Sequence, residues 1–152
     1  MKSHHLLILL VLVFSAMSAS AATPAPAKDI VIVANDLMRF SVTHIEAQPG
    51  QTIHVILKNE GTLPKEVMGH NWILLKKGSD SLVYTAAAMS AQSDNYQPKA
   101  LTNEVLAVIP LLGAKQTGEV TFTAPEVPGT YVFLCSFPAH FQAGMHGDLV
   151  VK

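Results

Sequence analysis

Short runs rich in β-branched residues, separated by turn-forming residues, make up most of this chain and restrict the folds open to it. The runs are DIVIVA from position 29, FSVTHIEA from 40, TIHVILK from 52, HNWILLK from 70, NEVLAVI from 103, EVTFTA from 119, TYVFLC from 130 and GDLVVK from 147. Turn-forming pairs such as Pro49-Gly50 and Pro128-Gly129 stand between many of them. Closely spaced short strands are typical of an all-β sandwich. The sequence therefore predicts an all-β sandwich of about eight strands.

The run from 52 to 58 shows the alternation expected of a strand with one buried face. Ile53, Val55 and Leu57 point to one side of such a strand, because successive side chains point to opposite faces. Thr52, His54, Ile56 and Lys58 point to the other side. We therefore expect one face of each sheet to be buried.

The segment from 79 to 100, SDSLVYTAAAMSAQSDNYQPKA, interrupts the series of strands. It is rich in alanine, which favours helices and is uncommon in strands. We interpret it as a helical excursion near residues 80–95, with a short helix near Leu82 to Ala91.

The first 22 residues have the three parts of a secretory signal peptide. Lys2 supplies the positive charge, Leu6 to Phe14 form the apolar run, and Ala19-Ser20-Ala21 offers a cleavage site. The apolar run is shorter than the roughly 20 residues that span a bilayer. We expect a periplasmic protein without a membrane span in its mature part, divided into a signal peptide at 1–22, a linker at 23–28 and one domain at 29–152.

The charges of the chain are few and scattered. Loss of Lys2 with the signal leaves nine of the ten Lys and Arg residues against eleven Asp and Glu residues. A nucleic-acid-binding surface needs clustered basic residues, so we expect no nucleic-acid partner. About 130 residues suffice for one domain with its own core, and we expect a monomer.

The only cysteine of the chain lies in CSFPAHFQAGMHG, at 135–147. In an oxidising compartment an unpaired cysteine is a buried core residue, an intermolecular disulfide, a nucleophile or a metal ligand. The thiol of Cys135, the imidazole of His140 and the thioether of Met145 share one short connection, and such a soft set of ligands suits copper. The simpler interpretation is that Cys135 and Met145 only fill the core.

A blue copper site needs two imidazoles beside the thiolate, and this connection supplies one. His70 in VMGHNW is the best second candidate, because it opens a predicted strand beside a glycine, where backbone can approach a metal closely. His44 and His54 lie in the middle of predicted strands, and His146 should point away from Met145. We leave these three histidines out of the predicted site.

Two motifs carry a resemblance to a known family. LPKEVMGHNWILL and YVFLCSFPAHFQAGMHGDLVV together resemble the azurin branch of the cupredoxins, and the likeness extends to NDLMRF at 35–40 and MSAQSDNY at 89–96. The resemblance implies a Greek-key β-sandwich. It also implies a small electron carrier with one type 1 copper ion, and not an enzyme.

The same resemblance implies the ligands. Cys135, His70 and His140 would be the equatorial ligands, Met145 the axial ligand, and the Gly69 carbonyl a distant second axial contact. Asn71 and Phe137 match positions whose backbone N–H groups donate hydrogen bonds to the thiolate and so tune the reduction potential.

The chain departs from azurin at two points. Four residues separate His140 from Met145, one more than in typical azurin and similar to auracyanin and rusticyanin, which leaves the Gly69 contact open. The chain also lacks the disulfide usual in azurins, so packing alone would hold its N-terminal strands.

An apolar patch around His140 is the predicted docking surface for redox partners. Large apolar patches free of charge often mark interaction sites. The alternative is that its methionines are core residues. The predicted members are Met38, Met68, Met89, Phe137, Pro138 and Phe141.

Two other functions use the same residues. An exported copper carrier would bind Cu(I) with these ligands, although the mature chain has no methionine-rich or histidine-rich tail. An enzyme could use Cys135 as nucleophile and His140 as base. No third orienting residue for such an enzyme is visible in the sequence.

Overall fold

The computed structural model describes residues 26–152, so the predicted signal peptide and the start of the linker lie outside the described residues. This part of the chain forms nine strands and two α-helices. The strands are β1 Lys28–Asn35, β2 Arg39–Phe40, β3 His44–Ala47, β4 Thr52–Asn59, β5 His70–Leu75, β6 Val105–Leu112, β7 Thr117–Thr123, β8 Gly129–Leu134 and β9 His146–Val151. The α-helices are α1 Lys65–Met68 and α2 Ser81–Ala88, and 3₁₀ helices follow at Gln92–Asp94 and Lys99–Glu104.

The strands form two sheets, which confirms the predicted all-β sandwich. The first sheet has the order β2-β1-β4-β7 and the second has the order β3-β9-β8-β5-β6. Strands β1 and β4 are parallel, as are β3 and β9, and the other neighbours are antiparallel. Within the described residues, no helix is both long and apolar enough to cross a membrane.

The prediction of one strand from 40 to 47 is wrong, because the chain changes sheets within this run. Phe40 pairs with Ala34 in the first sheet, whereas His44 pairs with Asp148 in the second. Both halves still direct an apolar side chain into the core, where Phe40 and Ile45 are buried. The first strand also begins at Lys28, one residue before the predicted start.

The main core lies between the two sheets. Ile53, Val55 and Leu57 are fully buried in it, so the predicted alternation of β4 is confirmed. Trp72 of β5 packs against Phe133 of β8 with ring centroids 5.4 Å apart. This aromatic contact helps to hold two neighbouring strands of the second sheet together.

The excursion after β5 covers the outer face of the second sheet. Helix α2 begins where the Asp80 carboxylate accepts hydrogen bonds from the Leu82 and Val83 amides, at 2.9 and 3.1 Å. It ends at Ala88, three residues before the predicted end, and the chain continues into 3₁₀ turns. Tyr84 forms a second core cluster with apolar residues of β5 and β8. As a result, all six residues of β5 are buried.

Candidate metal centre

Residues 135–145, here called the metal loop, connect β8 to β9 and are closed by their own backbone hydrogen bonds. The Cys135 amide donates to the Met145 carbonyl at 3.0 Å, and the Met145 amide donates to the His140 carbonyl at 2.9 Å. Ala139 and Gly144 have positive φ values of 69° and 99°, which let the chain turn within this short span. The loop therefore holds Cys135, His140 and Met145 in one compact unit.

His70 reaches this loop because of the strand order. Strands β5 and β8 are antiparallel neighbours, so the first residue of β5 lies beside the end of β8, where the metal loop starts. Helix α1 leads the chain to this point through Gly69. A β-carbon on Gly69 would lie 2.6 Å from the Lys65 carbonyl oxygen and 2.9 Å from Leu111, so this close approach requires glycine.

The side chains of His70, Cys135 and His140 converge. One ligand atom from each of them lies within 4.8 Å of the others, and in the described part of the chain they form the one group of three or more His, Cys, Asp or Glu residues with that property. Cys135 Sγ lies 3.5 Å from His140 Nδ1, and the two imidazole rings have centroids 5.0 Å apart. All three residues are buried, with at most 2% of their surface exposed.

The imidazole of His70 has a feature that a metal ion explains. Neither of its buried ring nitrogens makes a hydrogen bond of regular geometry. Burying a polar atom without a partner costs free energy, so native proteins rarely do it. A cation bound by a ring nitrogen of His70, together with Cys135 and His140, would compensate this cost.

Burial controls the protonation of these residues. It lowers the pKa of His140 from its ordinary value of 6.5 to about 4, with a further lowering from the nearby His70. It also lowers the pKa of His70, against the opposing influence of the Asn35 backbone and the Asp36 carboxylate. Both imidazoles are therefore neutral at pH 7, with lone pairs available to a metal.

The thiol of Cys135 is protonated when no metal is bound, because burial raises its pKa to about 12. The Asn71 and Phe137 backbones oppose this increase, since their N–H groups donate hydrogen bonds to the sulfur and favour the thiolate. A metal ion next to the sulfur would displace the proton and supply the charge that burial otherwise disfavours.

The side chain of Asn71 joins the start of β5 to the metal loop. Its Oδ1 accepts a hydrogen bond from the Ser136 amide at 2.8 Å, and its Nδ2 donates to Ser136 Oγ at 2.8 Å. Ser136 was not among the residues predicted for the site, although its position directly after the only cysteine was an available signal.

Met145 is fully buried, and its backbone makes hydrogen bonds with the backbones of both His140 and Cys135. It thus lies beside two of the converging residues. Gly69 adjoins His70 in extended backbone conformation, with φ −69° and ψ 149°.

The three histidines that were left out of the predicted site lie elsewhere in the structure. His44 lies 3.5 Å from Glu46, and His146 stacks on Phe141 with ring centroids 4.8 Å apart. His54 lies between Asp29 and Glu119. None of the three belongs to the converging group.

The residues of the predicted patch differ in exposure. Met89 is 61% exposed, whereas Met38, Met68, Pro138 and Phe141 are half-buried. Phe137 lies beneath the surface, with its ring 4.6 Å from the His140 ring.

Comparisons with known proteins agree with this geometry. The sequence profile of the copper binding proteins of the plastocyanin/azurin family matches residues 27–152. Azurin of Pseudomonas fluorescens biotype C is 35% identical over 126 residues, which cover 81% of this chain and 97% of that protein. Auracyanin-A of Chloroflexus aurantiacus is 39% identical over 117 residues, which cover 76% of this chain and 68% of that protein.

Auracyanin-B of the same organism is 32% identical over 136 residues, which cover 88% of this chain, and the chain spans 56% of that protein's length. Among solved structures, reduced auracyanin of Roseiflexus castenholzii superposes with a TM-score of 0.72 at 31% identity, covering 86% of this chain and 99% of that one. With its matching profile, relatives and fold, the chain belongs to the plastocyanin/azurin family of copper-binding proteins, and its cofactor is copper.

Proposed function

We propose that this protein is a periplasmic electron carrier with one type 1 copper ion. In this proposal His70, Cys135 and His140 would hold the ion as its main ligands, Met145 would add a weaker one, and the Gly69 carbonyl would be a more distant contact. The observation that carries the proposal is the buried convergence of two neutral imidazoles and one thiol, whose ligand atoms lie within 4.8 Å of one another. Such a set of ligands is the one that blue copper requires.

Copper held by a thiolate and two imidazoles supplies a one-electron couple. The protein's part is to keep the ligands still. His70 is fixed by a strand that is buried at every position, and Cys135, His140 and Met145 are fixed by a loop closed on itself. Ligands that move little between two oxidation states make electron transfer fast, because little reorganisation is needed.

The Asn71 and Phe137 amides tune the reduction potential in this proposal. Their N–H groups donate to the sulfur and withdraw electron density from it. Loss of electron density at the thiolate favours the reduced metal and raises the potential. Asn71 has a second role, because its side chain fixes the position of Ser136 next to the sulfur.

Electrons would leave through His140, the equatorial ligand under the apolar patch. His140 as a whole is 2% exposed, and its ring lies against the ring of Phe137. A partner would dock briefly on Met38, Met68, Met89, Pro138 and Phe141, with Phe137 just beneath. Small interfaces are typical of redox encounters.

The location of the protein is part of the proposal. The signal-like residues 1–22 would direct export and be removed, the linker 23–28 would follow, and the mature domain would act as a soluble monomer in the periplasm. An unpaired thiol survives in an oxidising compartment when it is buried and bound to metal, and Cys135 is fully buried.

The visible spectrum of the purified, copper-loaded protein tests the proposal. We expect an intense thiolate-to-copper band in the red, which Cys135→Ser abolishes because it removes the sulfur. His44→Ala serves as a matched control, since it removes an exposed histidine outside the converging group, and it should leave the band unchanged. A colourless wild-type protein, or a band lost in His44→Ala and kept in Cys135→Ser, would contradict the proposal.

Two alternative functions are less well supported. A Cys–His enzyme needs a reactive thiolate, whereas the Cys135 thiol is fully buried with its pKa raised to about 12. A copper carrier would have to release its metal to a partner, and the buried ligands described above are poorly placed for such exchange. A copper-bound thiolate should resist a thiol reagent until the metal is removed, and stable retention of Cu(II) would exclude the carrier.

A further inference from the structure

The turn after the 3₁₀ helix at Gln92–Asp94 has an unusual backbone. Asn95 and Tyr96 are consecutive residues with positive φ values, 55° and 60°. Asparagine tolerates this left-handed conformation well, but a bulky aromatic residue rarely adopts it. The Tyr96 amide donates to the Ala91 carbonyl at 2.9 Å, which closes the turn. Contacts elsewhere must compensate the strain at Tyr96.

Those contacts are with the metal loop. The Tyr96 carbonyl accepts a hydrogen bond from Ser136 Oγ at 2.6 Å. The Tyr96 ring meets the Phe137 ring edge to face, with centroids 4.9 Å apart and an interplanar angle of 60°. Phe137 in turn lies against the His140 ring, with centroids 4.6 Å apart. Tyr96 thus supports the two residues that follow Cys135, one through its carbonyl and one through its ring.

We infer that Tyr96 is a positioning residue for the metal loop. Its ring fixes the Phe137 ring and through it the orientation of His140, and its carbonyl fixes the Ser136 hydroxyl. The inference rests on the proposed function, since it assigns to the excursion between β5 and β6 a role in setting the properties of the copper site.

The side chain of Tyr96 is 7% exposed, and its aromatic ring, not its hydroxyl, makes the contacts that matter here. If the ring is removed, the Phe137 backbone loses one of its supports, and the hydrogen bond from its amide to the sulfur weakens. A weaker hydrogen bond leaves more electron density on the thiolate, which lowers the reduction potential. The same loosening lets reagents reach the thiol more often in the metal-free protein.

Three variants test the inference. Tyr96→Leu removes the ring, Tyr96→Phe removes only the hydroxyl, and Tyr131→Phe is a control at a second buried tyrosine. Tyr131 donates to the Val127 carbonyl at 2.6 Å, close to the start of β8 and therefore at the other end of that strand from the metal loop. The control thus lowers stability without touching the loop.

The first measurement uses metal-free protein. The rate of Cys135 alkylation should rise roughly two- to tenfold in Tyr96→Leu, the factor by which one aromatic contact changes an opening equilibrium. It should stay at the wild-type value in Tyr96→Phe and Tyr131→Phe. The second measurement uses copper-loaded protein. The reduction potential should fall and the red band should shift in Tyr96→Leu alone.

Equal alkylation rates and potentials in Tyr96→Leu and wild type would overturn the inference. It would also fail if Tyr131→Phe changed both quantities as much as Tyr96→Leu, because the effect would then be one of general stability. If Tyr96→Leu does not fold, Tyr96→Met replaces it, since the flexible thioether fills the space without a ring. A wild-type protein without the red band would instead contradict the proposed function, so the two failures are distinguishable.

Discussion

His54 lies within β4 of the first sheet and His70 begins β5 of the second, and the ring nitrogens of these two strand histidines have contrasting surroundings. On β4, His54 Nδ1 lies 3.3 Å from Asp29 and Nε2 lies 3.4 Å from Glu119, with 28% of the side chain exposed. On β5, His70 is fully buried, neither nitrogen makes a hydrogen bond of regular geometry, and the Asn35 backbone and the Asp36 carboxylate are its polar neighbours. The surface histidine lies between two carboxylates, whereas the buried imidazole is neutral and keeps a lone pair available to a cation.

Replacing each of the two histidines by leucine should produce the largest difference between the two sites. His70→Leu should abolish copper binding. The same change should stabilise the metal-free protein by about 1–3 kcal/mol, because an apolar side chain of similar size replaces a buried polar group whose ring nitrogens make no hydrogen bond of regular geometry. Urea unfolding of the metal-free variants measures this difference.

His54→Leu is the matched control. It should retain the red band after copper loading and change the free energy of unfolding by less than about 1 kcal/mol, since exposed ion pairs contribute little. If His70→Leu destabilised the metal-free protein by several kcal/mol, the Asn35 backbone would be a full hydrogen-bond partner of the imidazole, and this prediction would be wrong.

The pH dependence of the metal-free protein should show the effect of the buried histidines. Burial lowers the pKa of His140 from 6.5 to about 4, so the unfolded chain takes up a proton at a pH where the folded chain does not. Stability is then complete above pH 6.5 and falls as the pH decreases toward 4. We expect a loss of about 2 kcal/mol between pH 7 and pH 5.

Urea unfolding at these two pH values measures the loss, and His140→Leu should remove most of it. The shift of the His70 pKa has the same sign and should leave a smaller remainder in that variant. A metal-free wild type whose stability is equal at pH 7 and pH 5 would contradict the burial of neutral imidazoles.

The smallest effect is expected at the surface histidine. Glu119→Gln removes one of the two carboxylates beside His54. The free energy of unfolding should change by less than about 1 kcal/mol, because exposed contacts of this kind contribute little. Because Glu119 is exposed, salt should screen the interaction and reduce the difference further. Thermal unfolding at low and high salt checks this, and a large effect that is insensitive to salt would show that the contact is not a surface ion pair.

Much of the fold could be predicted from local patterns. The alternation in β4 identified its buried face, and the alanine-rich segment identified the excursion that carries α2. The break in the run from 40 to 47 was missed, although the alternation changes phase within it: Phe40 and Val42 are two residues apart, whereas Ile45 and Ala47 follow after two polar residues in a row. A single strand would direct these two apolar pairs to opposite faces, so the change of phase was the available signal. Which sheet each half joins depends on distant partner strands and could not be predicted from this run.

The candidate site shows the same division. Cys135, His140 and Met145 lie on one loop, so their spacing alone suggested a metal, and His70 was chosen from its neighbouring glycine and from the family resemblance. Tyr96 was not identified. Its contacts with the metal loop depend on the left-handed backbone of the turn and on the packing of distant segments, which no local pattern encodes.

Strand β5 is covered on both faces, and this limits the motion of the metal-binding residue that it carries. Segments covered on both faces in a core expose their amides to solvent only when the whole domain opens, whereas loops open locally. His70 is the first residue of such a segment, so its position should change only when the whole domain unfolds. Fluctuations that alter the distance between the histidines and the sulfur would have to originate in the loop, on the side of the centre where Cys135 and His140 reside.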